Sequence, residues 1–219
     1  TICLVGSEMC IRDRSIPITI AILGYSIAAT VVFTYVGLFG EYAVAGYGSA
    51  TRIEQVVLLP ILGINTAIIS IIAQNIGAKY YDRVEQSYFT SIKYGLFIML
   101  IAGVVIFISA DIVPKFFSSN PEVIMHGSMY LKISAFILPA YPIFFLSNGF
   151  FMALKKSEKA MVNNIARNVI VPVLSFYIAK YLNADFKTFF YIWAIFQWLI
   201  SLMLLFYVKY YIKHKLANI

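Results

Sequence analysis

Six long apolar runs constrain this chain more than any other feature of its sequence. They cover residues 16–38, 43–76, 84–110, 123–154, 160–182 and 186–212, and short polar turns separate them. A helix needs about 20 predominantly apolar residues to cross the hydrocarbon core of a bilayer, and each run is long enough. Charged residues make up only 12% of the chain, compared with about 25% in soluble proteins. The sequence therefore predicts an all-α, polytopic membrane protein with six transmembrane helices.

The first fourteen residues differ from everything that follows them. They contain both cysteines, Cys3 and Cys10, and they lack the apolar core of a signal peptide. Residues 4–13 resemble one reading frame of a sequencing adaptor, so we interpret residues 1–14 as a non-native segment. On this interpretation residues 15–219 are the native part, which contains no cysteine and is a fragment of a longer protein.

Basic residues are distributed unevenly between the runs, and the net charge is +7. With the start of the first run inside, the basic residues in or just beyond the inner turns and tail are Lys79, Arg83, Lys155, Lys156, Lys159, Arg167, Lys209, Lys213 and Lys215. The outer turns contain Lys115, Lys180 and Lys187. Because Lys and Arg concentrate in cytoplasmic loops, we expect a prokaryotic inner-membrane protein with both ends of this segment in the cytoplasm. No nucleic-acid-binding pattern is present, so the expected surroundings are the lipid bilayer.

A few charged residues fall within the apolar runs, where each needs a partner or a water-filled cavity. They are Arg52, Glu54, Lys93 and Lys132. Glu54 and Asn65 are eleven residues apart, which places them on one face of a helix. Between them, Pro60 leaves the Val56 carbonyl without its helical donor. For Glu54, a structural salt bridge and a role in transport remain equally open at this point.

The fourth run carries a polar stripe and is interrupted by prolines. Ser134, Tyr141 and Asn148 repeat every seven residues and therefore lie on nearly one face. The prolines free backbone carbonyls in this run, among them that of Leu138. Broken helices with polar stripes line the central cavities of transporters, whereas hydrogen bonding between helices is the alternative role for such residues.

Sequence motifs of enzymes are absent. We find no HExxH, GxSxG or Walker A motif, and His126 and His214 lie far apart at the ends of runs. The sequence therefore predicts no enzymatic activity, no cofactor and no metal site.

Residues 46–84 resemble a helix and inner loop of multidrug and toxic compound extrusion (MATE) transporters. The residues that carry the resemblance are the small residues at the helix start, Arg52-Ile53-Glu54, Pro60 with Gly63, Gln74-Asn75-x-Gly77-Ala78 and Asp82-Arg83. That family has twelve helices in two six-helix lobes. The order of the runs and the end of the chain after the sixth resemble the C-terminal lobe.

The resemblance implies secondary active efflux of small hydrophobic or cationic compounds in exchange for sodium ions or protons. It implies alternating access between two lobes, with the missing N-terminal lobe of the same polypeptide as the partner of this one. The first run lacks the acid of the sodium-type branch, and the aspartate of the proton-type branch belongs to the other lobe. The coupling ion, sodium or proton, therefore stays open.

Five residues are candidates for transport or for lining the cavity: Glu54, Arg52, Asn65, Tyr141 and Asn148. Glu54 leads this group because it is the one carboxylate deep within a run. Two other functions remain as alternatives: a lipid-linked sugar flippase of the same superfamily, and a non-transporting membrane assembly subunit.

Overall fold

The structure, a computed structural model, describes residues 16–216. Within that range every regular element is a helix, which confirms the predicted all-α class. The α-helices are α1 (Ile16–Gly37), α2 (Glu41–Gly77), α3 (Tyr81–Ser109), α4 (Pro121–Ile137), α5 (Ala140–Ala153), α6 (Ser157–Ile165), α7 (Val171–Tyr181) and α8 (Phe186–Tyr211). A 3₁₀ turn covers Val113–Phe116, and π-helical segments cover Ala166–Ile170 and Ile212–Leu216. The predicted adaptor segment, residues 1–14, lies outside the described residues.

Helix lengths in the described range fit a membrane-spanning bundle. Four continuous helices are long and apolar enough to cross a bilayer, and they are Glu41–Gly77, Tyr81–Ser109, Ser157–Tyr181 and Phe186–His214. The pair α4 and α5 forms a fifth span when it is counted as one bent unit. Helix α1 has 22 residues, or about 33 Å at the usual helical rise, which matches the thickness of a hydrocarbon core. The chain is therefore an integral membrane protein.

The fourth span is two helices rather than one. Helices α4 and α5 meet at an angle of 54°, and Pro139 directly precedes α5. Proline lacks the backbone N–H that would continue the helix, which explains the break. The Leu138 carbonyl accepts a hydrogen bond from the Tyr141 N–H at 3.2 Å. The expectation that this carbonyl is free was therefore wrong, because a tight turn at the break supplies a new donor.

Helix α2 lies at the centre of the bundle and packs against α3, α4 and α5. It approaches α4 closely where Gly46 faces Gly127. A Cβ atom built on Gly46 would lie 2.6 Å from the Val123 carbonyl oxygen and 2.8 Å from the Gly127 nitrogen. Glycine at this crossing therefore allows two backbones to touch, as small residues do between membrane helices.

The outward surfaces of the helices are of two kinds. The exposed side chains of α3 and α8 include Phe97, Leu100, Val104, Ile108, Ile195, Leu199, Met203 and Phe206. Such uniformly apolar faces suit contact with lipid tails. The exposed residues of α2 instead include polar and small ones, namely Gln55, Gly63, Thr66, Ala67, Ser70 and Gln74, beside the apolar Val56, Leu59, Leu62 and Ile71. Helix α1 likewise exposes Ser26, Thr30 and Thr34 beside Leu23, Ile27 and Phe33. The exposed surface of α1 and α2 is therefore more mixed in polarity than that of α3 and α8.

We expect Gly46→Ala to lower the midpoint of thermal unfolding of the full-length protein in detergent, because the new methyl group would collide with the α4 backbone. Overpacking of this kind costs about 1–3 kcal/mol. Gly48→Ala is the matched control, since its nearest neighbour would be a Phe33 ring carbon at 3.9 Å. Equal losses in the two variants would contradict the close approach.

Candidate functional site: a buried carboxylate between tyrosines

Glu54 lies on the inner side of α2 with 7% of its surface exposed. Its two carboxylate oxygens accept hydrogen bonds from two phenols, Oε2 from Tyr130 on α4 and Oε1 from Tyr141 on α5. A carboxylate removed from water is costly unless donors replace its hydration. The two tyrosines therefore replace part of the hydration that the buried carboxyl group has lost.

Arg167 is the second buried charge of this region, also with 7% of its surface exposed. Its Nε donates to Gln197 Oε1 on α8 at 2.7 Å. Its guanidinium carbon lies 4.6 Å from the ring centre of Tyr141 and 4.3 Å from that of Phe144. Aromatic faces attract a guanidinium through their quadrupole, so these rings hold the cation beside the carboxylate. Arg167 also attracts Glu54 electrostatically.

A local irregularity in the chain accompanies the burial of Arg167, which lies in the π-helical segment Ala166–Ile170. Pro172 follows that segment and has no N–H to donate to the Asn168 carbonyl, which favours a wider turn here. Glu54, Tyr130, Tyr141, Arg167 and Gln197 together form a chain of contacts across α2, α4, α5 and α8. We call these five residues the buried polar cluster.

The asparagines of the candidate set lie at a different place, where α2 crosses α5. Asn148 Oδ1 accepts a hydrogen bond from Asn163 Nδ2 at 3.3 Å. Asn65 Oδ1 lies so close to Gly149 that a Cβ built there would be 2.3 Å away. Asn65 Oδ1 and Asn148 Nδ2 are buried and have no hydrogen-bond partner within the described part of the chain. They form a second polar spot, separate from the buried polar cluster.

Of the five candidates, the structure brings Glu54 and Tyr141 into direct contact. Asn65 and Asn148 lie at the α2–α5 crossing, and Arg52 is exposed. The other charges expected at membrane depth also lie elsewhere, since Lys93 is exposed and Lys132 pairs with Asp111 beyond the end of α3. The partners that the structure gives Glu54 are phenols with an arginine in electrostatic range.

Sequence reasoning missed Tyr130, Arg167 and Gln197 as members of the cluster. One signal was present for Arg167, which lies well inside the fifth run although it was counted with the inner turn. Tyr130 lies eleven residues before Tyr141, which is three helical turns. That spacing places the two tyrosines on one side of their span and was a usable signal.

The cluster offers oxygen atoms of one carboxylate and two phenols to a cation. Among residues 16–216, no three His, Cys, Asp or Glu side chains gather into a group that could hold a metal ion.

Comparisons with known proteins connect this chain to a family. A sequence profile described as MatE matches residues 17–177. The probable multidrug resistance protein YpnP of Bacillus subtilis is 26% identical over 150 residues, covering 68% of this chain and 32% of that protein. The multidrug export protein MepA of Staphylococcus haemolyticus is 26% identical over 160 residues, and the match covers 73% of this chain and 35% of that protein.

Solved structures show the same fold. A multidrug resistance MATE family transporter in an outward-facing conformation superposes with a TM-score of 0.90 at 20% identity, covering 100% of this chain and 50% of that one. A MOP superfamily transporter from Pyrococcus furiosus superposes with a TM-score of 0.88 at 21% identity, and the match covers 95% of this chain and 48% of that one. The chain thus spans about half the length of these solved structures.

We expect Tyr141→Phe to destabilise the full-length protein, because the variant leaves one oxygen of the buried Glu54 without its donor. Leaving a buried polar atom without its partner costs about 1–3 kcal/mol, so the midpoint of thermal unfolding in detergent should fall. Tyr177→Phe is the control, since Tyr177 is 65% exposed on α7. An unchanged midpoint for Tyr141→Phe would contradict the assigned bond.

Proposed function

This chain belongs to the MatE family, and from that premise we propose that it forms one lobe of a transporter that expels drug-like compounds from the cell. The family consists of transporters rather than enzymes. The two curated relatives described above carry names that refer to multidrug resistance and export, which supports efflux over lipid-linked sugar flipping or a non-transporting assembly role. The substrates proposed are small hydrophobic or cationic molecules.

The proposed partner of residues 15–219 is an N-terminal lobe of the same polypeptide. The length of this chain, half that of the solved structures, supports this proposal. So does the surface, because α2 exposes polar and small residues among its apolar ones, which suits packing against another part of the protein. We assign that surface, with the exposed polar residues of α1, to the wall of a central cavity that the other lobe completes. The proposed location is the inner membrane. Rocking of the two lobes would open this cavity alternately to the two sides of that membrane.

The burial of Glu54 between two phenols is the observation on which the proposed mechanism rests. A buried carboxylate in a transmembrane helix holds a cation when it is charged and releases it when it is neutralised, which couples an inward ion to an outward drug. Tyr130 on α4 and Tyr141 on α5 couple a change of charge on Glu54 to the bent span, since their phenols donate to the carboxylate oxygens. A change of charge on Glu54 therefore alters the packing of α2 against the bent span.

The geometry favours a proton over sodium as the coupling ion. Each oxygen of Glu54 already accepts a phenol hydrogen bond, so a sodium ion would have to bind at the remaining lone pairs and turn the phenol oxygens toward itself. A proton needs no coordination shell. Arg167 and Gln197 then hold the ring of Tyr141 in place from the other side.

Replacement of Glu54 by Gln should abolish efflux driven by a pH gradient, because the amide keeps the shape of the side chain but cannot exchange a proton. The measurement is the export of a fluorescent cationic dye from inverted membrane vesicles that contain the full-length protein. Glu122→Gln is the control, since Glu122 is exposed in the first turn of α4. Normal efflux by the Glu54 variant at equal protein levels would remove Glu54 from the mechanism. A sodium gradient that drives efflux as well as a pH gradient would contradict proton coupling.

The segment 15–219 alone should not transport, because one wall of the proposed cavity is missing. Liposomes that contain only this segment, with its helical content verified by circular dichroism, should take up no dye above protein-free liposomes. Uptake equal to that of the full-length protein would contradict the two-lobe proposal.

A further inference from the structure

We propose that a groove between α4 and α8 binds the phosphate headgroup of an anionic membrane phospholipid. The groove lies at the end of the bundle where α3 ends and where α4 and α8 begin, and its volume is about 640 Å³. Its lining residues do not include those of the buried polar cluster, and the proposal rests on the proposed function only in placing the central cavity on α1 and α2. It rests on the charges, the apolar lining and the position of the groove.

Three lysines from three different elements converge on the groove. Lys115 comes from the 3₁₀ turn, Lys132 from α4 and Lys187 from α8. The carboxylate of Asp111 also lines the groove and pairs with Lys132 at an Nζ to Oδ2 distance of 2.8 Å. Asp111 therefore neutralises one lysine, and the charge of the other two is left to attract an anion.

Asp111 is kept in its charged form by its neighbours. Hydrogen bonds from Lys132 and Ser128 hold the pKa of Asp111 below its usual value. Asp111 and Lys132 thus form a fixed pair on one side of the groove, whereas Lys115 and Lys187 supply its net positive charge. The charge balance of the groove, three positive against one negative, is complementary to a phosphate.

The remaining lining of the groove is apolar, which distinguishes a lipid from a soluble anion. Ile124, Met125, Met129 and Ile133 of α4 form this part of the wall, and Tyr191 of α8 is 54% exposed at its edge. A phosphate among lysines with an alkyl chain along Ile and Met side chains is the arrangement expected for an amphiphile. Long lysine stems suit this boundary because they pack along apolar surface while the ammonium groups reach the headgroup region.

The groove also faces the correct surroundings. It opens beside the exposed face of α8, which continues with Ile195, Leu199 and Met203 and is suited to lipid tails. The surface that we assign to the central cavity lies on α1 and α2 instead. The occupant is therefore a lipid of the bilayer rather than the second lobe or a transported compound.

The test is native mass spectrometry of the full-length protein with phosphatidylglycerol or with zwitterionic phosphatidylcholine. We expect the wild type to retain phosphatidylglycerol preferentially. The double variant Lys115→Gln/Lys187→Gln should weaken that binding by about 25-fold, since each lysine near an anionic headgroup is worth about five-fold. Lys180→Gln is the matched control, because Lys180 is an exposed lysine at the same end of the bundle, in the last turn of α7, and does not line the groove.

A second variant tests the sign of the effect. Asp111→Asn removes the one negative charge of the groove and should strengthen phosphatidylglycerol binding by about five-fold. A merely structural role of these residues predicts no gain. Equal retention of the two lipids by the wild type, or equal loss in the double variant and in Lys180→Gln, would overturn the proposal. Retention of inorganic phosphate equal to that of phosphatidylglycerol would also overturn the proposal, because the ligand would then be a soluble anion.

Discussion

The burial of one carboxylate, Glu54, governs how three helices of this bundle meet. Donors on two elements satisfy it, Tyr130 before the α4–α5 break and Tyr141 after it. Glu54 thus joins α2 to both halves of the bent span, one phenol coming from each side of the break.

Arg167 extends these contacts to the other side of the bundle. Its stacking on Tyr141 and its hydrogen bond to Gln197 connect the bent span to α8. The π-helical segment that contains Arg167 is a departure from regular helix at a buried charge, as such segments are at many functional sites. A change of charge at Glu54 would therefore reach α4, α5 and α8 through direct contacts.

Two further surfaces place the lobe in its surroundings. The exposed faces of α3 and α8 are apolar and suit contact with lipid, and the groove at one end of α8 is lined by three lysines. The exposed surface of α2 is mixed, with polar and small residues among apolar ones, which suits contact with a second lobe.

Much of this architecture can be predicted from hydrophobicity. A membrane span must form its backbone hydrogen bonds within itself, so it is a long apolar helix that is recognisable by length and composition. That logic predicted the helical class, the position of each apolar run, Glu54 as the deep carboxylate and Tyr141 on the inward stripe of its span. It did not predict that prolines would split the fourth run into two helices with a repaired turn at Leu138.

Partner choice was beyond the reach of the sequence. Lys132 falls within an apolar run, yet its flexible stem reaches Asp111 beyond α3, and Arg167 looks like a loop charge but is buried on aromatic rings. Spacing along one helix states which residues share a face, but it does not state which helix that face will meet. The apolar runs were determined by the sequence itself, whereas the neighbours of Glu54 were decided only by tertiary packing, because they come from helices distant along the chain.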